Sequence, residues 1–252
     1  MSALDSLRNG IVRAKFNRPP VVIGGCGRSG TTLLLAIVSA HPEIYAIPFE
    51  TAALCPGSYS GDDFDTDVDL DLTRLYRALP MKRELFTRRR RFAEKTPRNV
   101  LFFPAILSAF RRRVRLVHIV RDGRDVVTSR HPKDPDAYWV SPDRWVSEAG
   151  AGLKMADDPR VLTIRYEDLV GGFEETLRQL MAFIGEELPE EVLDFRRHAT
   201  VRKGPWVRNP ELRGLYSGSI GRWKRDEHAE RVKQLMADPK AVELLELLGY
   251  ET

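Results

Sequence analysis

The chain is poor in everything that would tie it to a membrane, a disulfide framework or a metal. It has only 2 cysteines in 252 residues, Cys26 and Cys55, too few and too oddly placed for a disulfide-stapled fold. Nor does any Cys/His spacing suggest a metal site. No apolar run is long enough to span a bilayer, and the amino terminus has no apolar signal segment; a cytoplasmic protein without a membrane span is expected. Repeats and long low-complexity tracts are lacking, so one domain over residues 1–252 is expected. Charge of either sign is in small excess only: 40 Lys and Arg against 36 Asp and Glu leave a net +4. The arginine runs at 88–91 and 111–113 come with no recognition motif, so they read as solvated faces and no nucleic-acid partner is expected.

One further absence is local and decides more. An apolar run from Val21 ends in Gly24-Gly25-Cys26-Gly27-Arg28-Ser29-Gly30-Thr31-Thr32 and passes into a second apolar run. From Gly25 to Gly30 the spacing is that of a nucleotide-binding P-loop, but Thr31 stands where the lysine belongs. The glycines at 24, 25, 27 and 30 let the backbone take positive φ and bring N–H groups onto an anion, and a helix starting near Thr31 adds its unpaired N–H groups. Arg28 supplies a cation from inside the turn, and Cys26 reads as a small residue of the cradle. The expected ligand is a nucleotide other than ordinary Mg-ATP.

A second motif fits the same cleft. Leu116-Val117-His118-Ile119-Val120 reads as a buried parallel strand, which leaves Arg121 at its carboxyl end, where ligands gather in open α/β sheets. Ser129 returns to the same place from the following helix, Asp122 suits an N-cap, and Arg124 and Arg130 read as solvated. Strands are expected at 20–24, 44–47, 116–120 and 161–166, and helices at 32–40, 71–89, 98–112, 123–130, 142–156, 171–185 and 239–248. Strands alternating with helices give an α/β, P-loop-type, doubly wound sheet, mainly parallel, with helices on both faces. The acidic stretch at 62–71 reads as a loop beside the cleft.

The loop at 25–32 and the segment Ile119-Val120-Arg121-Asp122-Gly123-Arg124-Asp125-Val126-Val127-Thr128-Ser129 together resemble sulfotransferases that use 3′-phosphoadenosine 5′-phosphosulfate (PAPS). The arginine in the loop is similar to the tyrosylprotein sulfotransferase branch and its bacterial relatives. The resemblance implies that Gly27, Arg28, Ser29, Gly30, Thr31 and Thr32 hold the 5′-phosphosulfate. It assigns Arg121 and Ser129 to the 3′-phosphate. Ile164-Arg165-Tyr166-Glu167-Asp168 is similar to the segment whose tyrosine lies near the adenine, here Tyr166. Tyr216 to Lys224 resembles the closing loop over the nucleotide, with Ser217 or Ser219 as donors, and by spacing from Trp223, Arg213 matches a basic residue on the 3′-phosphate side. Animal members of that branch are anchored in the secretory pathway, so a soluble bacterial-type enzyme is the closer picture.

Sulfonate transfer needs a base for the acceptor hydroxyl and a cation for the departing oxygen. The segment from His41 to Thr51 resembles the one that ends in the family's catalytic glutamate, which makes Glu50 the candidate base; near neutrality it would need to be buried. Glu94 competes for that role, next to Lys95 in a Lys-x-Pro turn that in relatives lies near the sulfonate, with Thr96 capping the helix that Pro97 opens. Arg28 assisted by Lys95 would stabilise the bridging oxygen, and no metal is expected. Two other readings stand: a P-loop small-molecule kinase using Mg-ATP, and a non-catalytic nucleotide-binding module. The acceptor, whether small molecule, sugar, lipid or peptide tyrosine, would meet loops at 52–92 and 131–145, with Tyr138, Trp139 and Trp145 as candidate wall residues.

Overall fold

The computed structural model describes residues 3–59, 64–80, 84–131, 133–201 and 217–252. Its centre is a five-stranded, all-parallel sheet of β1 (Val21–Gly24), β2 (Ile44–Ala46), β3 (Arg91–Lys95), β4 (Arg115–Val120) and β7 (Val161–Arg165), in the order β2-β3-β1-β4-β7. A separate antiparallel hairpin joins β5 (Arg130–His131) to β6 (Asp134–Tyr138). From β1 the chain runs to the edge strand β2, returns through β3 and then crosses to β4 and β7. The winding thus reverses beside β1, the position where open α/β sheets form a ligand crevice.

Alternation along the strands builds two core layers. Val21, Ile23, Val117 and Ile119 pack on α2 (Thr31–Val38), and on α7 (Tyr166–Gly171) and α8 (Phe173–Ile184), through Leu33, Leu34, Ile37, Leu169, Leu177 and Leu180. Val22, Phe92 and Leu116 face the other way, onto α1 (Ala3–Lys15), α3 (Thr73–Arg77) and α4 (Phe103–Ala109), through Val12, Leu75, Phe103 and Ile106. The short α9 (Glu190–Leu193) and α10 (Phe195–His198) add Val192 and Phe195 to the first layer, and a third cluster around Val120 and Trp145 joins α5 (Gly123–Val127) and α6 (Pro142–Leu153) to α11 (Ala229–Met236) and α12 (Pro239–Leu247). The doubly wound α/β arrangement with helices on both faces is as expected.

Several elements depart from expectation for identifiable reasons. Among its described residues the stretch 71–89 holds the short α3 and a tight turn at Glu84–Phe86 in place of one long helix, because the residue before Pro80 is held out of the helical region. The arginine run that follows enters β3, and Arg91 is buried against Glu186 at 2.9 Å rather than solvated. At 98–112 a 3₁₀ turn over Pro97–Phe102 precedes α4, since Pro104 has no N–H with which to continue the earlier turn. The segment at 171–185 is α8, separated from α7 by a break at Gly172 and closed by Gly185 in the left-handed region at φ 75°. Helix α5 stops at Val127 and the chain turns into the hairpin. From the acidic stretch at 62–71, residues 62 and 63 lie outside the described residues; Phe64 stacks on Phe102 at 5.9 Å. Among the described residues, no helix is long and apolar enough to cross a membrane.

Candidate active site

The loop after β1 is shaped by close approach of backbone to backbone. A Cβ on Gly25 would lie 2.2 Å from the carbonyl oxygen of Ile119, so only glycine lets the loop pass the end of β4. Positive φ falls on Gly25, Arg28 at 72° and Gly30 at 95°, and not on Gly24 or Gly27 as expected from the glycine spacing. Gly24 is needed for space instead: a Cβ there would meet the Val100 backbone nitrogen at 2.6 Å. A non-glycine residue in the left-handed region is uncommon, and here Arg28 turns the chain into the first turn of α2 at Thr31. Ser29 Oγ is buried in this cradle and has no hydrogen-bond partner among the described residues. An anion held by the α2 N-terminus would give it one.

Beside the cradle runs β3, whose register pairs Lys95 with Ile23. Lys95 therefore leaves the sheet next to the loop, and its Nζ donates to Thr32 Oγ1 at 3.2 Å and to Glu50 Oε1 at 2.5 Å. The cation missing at Thr31 is thus supplied by the neighbouring strand. Lys95 is nearly enclosed, with 4 % of its side chain exposed, whereas Glu50 keeps 32 %. Glu50 is consequently a rim residue and not the buried carboxylate that the sequence reading called for.

Glu94, one residue before Lys95, points away into the core. Its Oε1 accepts from Thr51 Oγ1 at 2.9 Å and Thr96 Oγ1 at 2.6 Å, and its Oε2 from Asn99 Nδ2 at 2.6 Å. Burial pushes its carboxyl up, and these hydrogen bonds pull the other way. Thr96 gives its hydroxyl to Glu94 and does not cap the turn opened by Pro97. With its oxygens committed inside the protein, Glu94 joins the loop at 51 to the start of the 3₁₀ turn and does not face the cradle.

At the end of β4 the second motif folds into one packed knot. Arg121 is fully buried; its guanidinium lies over the Tyr166 ring at 4.6 Å and donates to the carbonyls of Arg28, at 3.2 Å, and Ser219. Tyr166 Oη meets Ser219 Oγ at 3.1 Å, and the same ring lies against Gly30, where a Cβ would come within 2.6 Å of it. Ser129 is buried nearby and donates to the Asp125 carbonyl at 2.8 Å. The structure thus brings Arg121, Tyr166, Ser219 and the cradle together, while Arg213 lies outside the described residues. Asp122 is the expected N-cap, accepting from the Arg124 N–H at 2.9 Å. Arg124, expected in solvent, is buried between Asp122 and the Trp223 ring, 4.1 Å away, and Arg130 lies over the Tyr138 ring.

Two parts of the site escaped the sequence reading. Asp125, fully buried, accepts from the Gly221 N–H at 2.8 Å and the Trp223 N–H at 3.1 Å, and stands 3.6 Å from Arg121. It ties the segment carrying Ser219 to the Arg121 knot. The other is a pair of arginines, Arg98 and Arg144, that line the cleft. That cleft has a volume of about 290 Å³, a floor formed by Gly27, Arg28 and the start of α2, and walls that include Glu50, Tyr59, Arg98, His131, Trp139 and Arg144. Of the aromatic residues expected there, Trp139 is present, Trp145 is wholly in the core, and Tyr138 packs on His228. A groove of about 320 Å³ lies at the opposite end of the strands, along Phe16, Pro20 and Arg113, and no candidate group faces it. Among the described residues no group of three or more His, Cys, Asp or Glu side chains is placed to hold a metal ion.

Comparison with known proteins finds the same fold in sulfotransferases. The sulfotransferase domain from the Synechococcus PCC 7002 olefin synthase matches with a TM-score of 0.60 at 19 % identity, over 93 % of this chain and 96 % of that one. Sulfotransferase STF9 from Mycobacterium avium gives 0.60 at 13 % identity, over 99 % and 81 %. Mouse sulfotransferase SULT7A1, solved with PAP, gives 0.55 at 15 % identity, over 96 % and 95 %. At these identities what is shared is the fold. An uncharacterized protein of Aquifex aeolicus (strain VF5) is 24 % identical over 85 % of this chain, which spans about a third (32 %) of that relative's length. The profile of the sulfotransferase family matches residues 19–190, well over half of the sequence and inclusive of the cradle, Glu50, Lys95, Arg121 and Tyr166, and the chain belongs to that family.

Proposed function

We propose that the protein transfers a sulfonate group from PAPS to the hydroxyl of an acceptor. The observation that carries this reading is the placement of Lys95, which reaches Thr32 on the first turn of α2 and Glu50 on the cleft rim at the same time. A cation and a carboxylate meet there at the mouth of an anion cradle. PAP bound to the structurally similar mouse enzyme supports the donor.

In the reaction the acceptor oxygen attacks sulfur in line. The new O–S bond forms as the bond from sulfur to the 5′-phosphate oxygen breaks, Glu50 takes the hydroxyl proton, and adenosine 3′,5′-bisphosphate leaves. Arg28, Lys95, the Ser29 hydroxyl and the backbone amides of Gly30, Thr31 and Thr32, with Gly27 leaving room for the group, balance the charge that moves onto the leaving oxygen, while the Ser29 amide closes the loop on the Cys26 carbonyl at 3.2 Å. Arg121 and Ser129 hold the 3′-phosphate, and Tyr166 and Ser219 close that end of the nucleotide site. Metal is not part of this scheme. The two cysteines, both buried and unbridged, support a cytoplasmic setting.

The test is incubation with donor carrying labelled sulfur, without added metal, and a mixture of phenolic, alcoholic and sugar acceptors. Label appearing on an acceptor together with free bisphosphate supports transfer. Donor that binds but is not consumed would make the protein a nucleotide-binding module.

A further inference from the structure

In the cleft that Glu50 lines, the guanidinium groups of two further lining residues share one carboxylate. Arg98 Nε is 3.3 Å and Arg144 Nε 2.9 Å from the same oxygen, Oε1 of Glu148. Glu148 is sealed, with 2 % of its side chain exposed, while 13 % of Arg98 and 23 % of Arg144 remain open. One buried negative charge therefore stands against two positive ones, and the surplus is presented to the cleft that both arginines line. Both are held in place: Arg98 lies over the Tyr59 ring at 5.2 Å and the Phe64 ring at 5.7 Å, and Arg144 is fixed by its hydrogen bond to Glu148 one helical turn on, with Nη2 close against the bare Gly27. Beside Arg144 at Gly27 the lining is flat and aromatic, since Trp139 stacks on His131 with ring centres 4.5 Å apart and planes 21° from parallel.

Carboxylate at one side of the cleft, a surplus of guanidinium at another and an indole face alongside describe a ligand with three matching parts. Resting on the proposed sulfonate transfer, we infer that the acceptor is a small hydroxylated ring compound that carries an oxyanion, a carboxylate or its like, bound by Arg98 and Arg144 while its hydroxyl faces Glu50. Arg supplies a planar fork that suits such an oxyanion, and both arginines are already ordered before the ligand arrives, so little further entropy is lost. A neutral alcohol of the same shape would leave the surplus charge in a half-closed cleft without a counterion.

Matched pairs test this: 4-hydroxyphenylacetate against 4-hydroxyphenylacetamide, with indole and cyclohexane analogues, titrated calorimetrically into protein saturated with adenosine 3′,5′-bisphosphate. The acid of at least one pair is expected to bind about tenfold to a hundredfold tighter than its amide, the range of one or two charge-assisted hydrogen bonds. In Arg98→Gln, where Glu148 keeps Arg144 as partner, that preference should fall to about threefold or less while bisphosphate affinity holds. Equal binding of acid and amide, or no binding of any pair to bisphosphate-loaded protein, overturns the inference alone. Loss of bisphosphate affinity in Arg98→Gln with the preference intact would assign the arginines to the donor instead. Failure of the parent protein to take up bisphosphate would overturn the sulfonate-transfer reading itself.

Discussion

Lys95 and Glu50 form an ion pair of 2.5 Å although one ends a buried strand and the other stands on the exposed segment after β2. The pair exists because β3 lies between β1 and β2, so its carboxyl end opens onto both the cradle and the segment that follows β2. Acting as base and cation, the two should separate in mutants. Glu50→Gln should lower kcat by about a hundredfold to ten-thousandfold, the usual share of general-base catalysis, with donor affinity within about threefold. Steady-state kinetics beside bisphosphate titration checks both. A kcat within about threefold of the parent would remove Glu50 from the role.

Glu94 is the control for that assignment. Glu94→Ala leaves the hydroxyls of Thr51 and Thr96 and the amide of Asn99 without their acceptor in the core, and should cost about 2–4 kcal/mol in chemical denaturation. Glu94→Gln keeps an acceptor at Oε1 and should hold turnover within about fivefold. A loss of kcat matching that of Glu50→Gln would move the base to Glu94.

Asp125 ties the segment at 219–223 to Arg121, so under the proposed donor site it should govern how fast the nucleotide leaves. Asp125→Asn replaces one of the two oxygens that receive Gly221 and Trp223 with a donor, which sets N–H against N–H. Bisphosphate should then dissociate about tenfold faster in stopped-flow displacement, and the donor KM should rise. An unchanged release rate in a protein of unchanged Tm would mean that the latch plays no part in holding the nucleotide.

His118 sets an acid limit on stability. Buried beneath Gly152, it has its pKa pushed down from 6.5 to about 3 by burial. Above pH 6.5 the ring is neutral in both folded and unfolded chains and costs nothing. As pH falls from 6.5 towards 3 only the unfolded chain takes up the proton, so stability declines across that window, by on the order of 4 kcal/mol if the whole window is crossed. Denaturant midpoints from pH 7 to pH 4 should fall in the parent, and His118→Gln should flatten that slope. An equal slope in both proteins would place the acid sensitivity elsewhere.

How much of this could be read in the sequence follows how local each feature is. The cradle and Arg121 are strand-to-helix junctions, and their residues lie within a few positions of an apolar run that marks the strand. Strand β3 is harder to see, because Arg-Phe-Ala-Glu-Lys carries three charges in five buried residues; Glu186 and Glu50, distant in sequence, pair with the first and last of them. Asp125 and Glu148 look like ordinary helical carboxylates until the segments at 219–223 and 97–98 fold against them. Of these contacts the sequence itself displays the i,i+4 spacing of Arg144 and Glu148. The helices expected at 71–89 and 98–112 span Pro80 and Pro104, whose missing N–H groups interrupt a helix that side-chain pattern alone would continue.

The most direct measurement is isothermal titration with adenosine 3′,5′-bisphosphate, run beside ADP with and without Mg²⁺, on the parent and on Arg121→Ala. The expected result is metal-independent binding that depends on the 3′-phosphate and weakens at least about tenfold in Arg121→Ala, the loss of a charge-assisted contact. Mg²⁺-dependent preference for ADP, or equal bisphosphate affinity in the two proteins, would contradict the donor site described here.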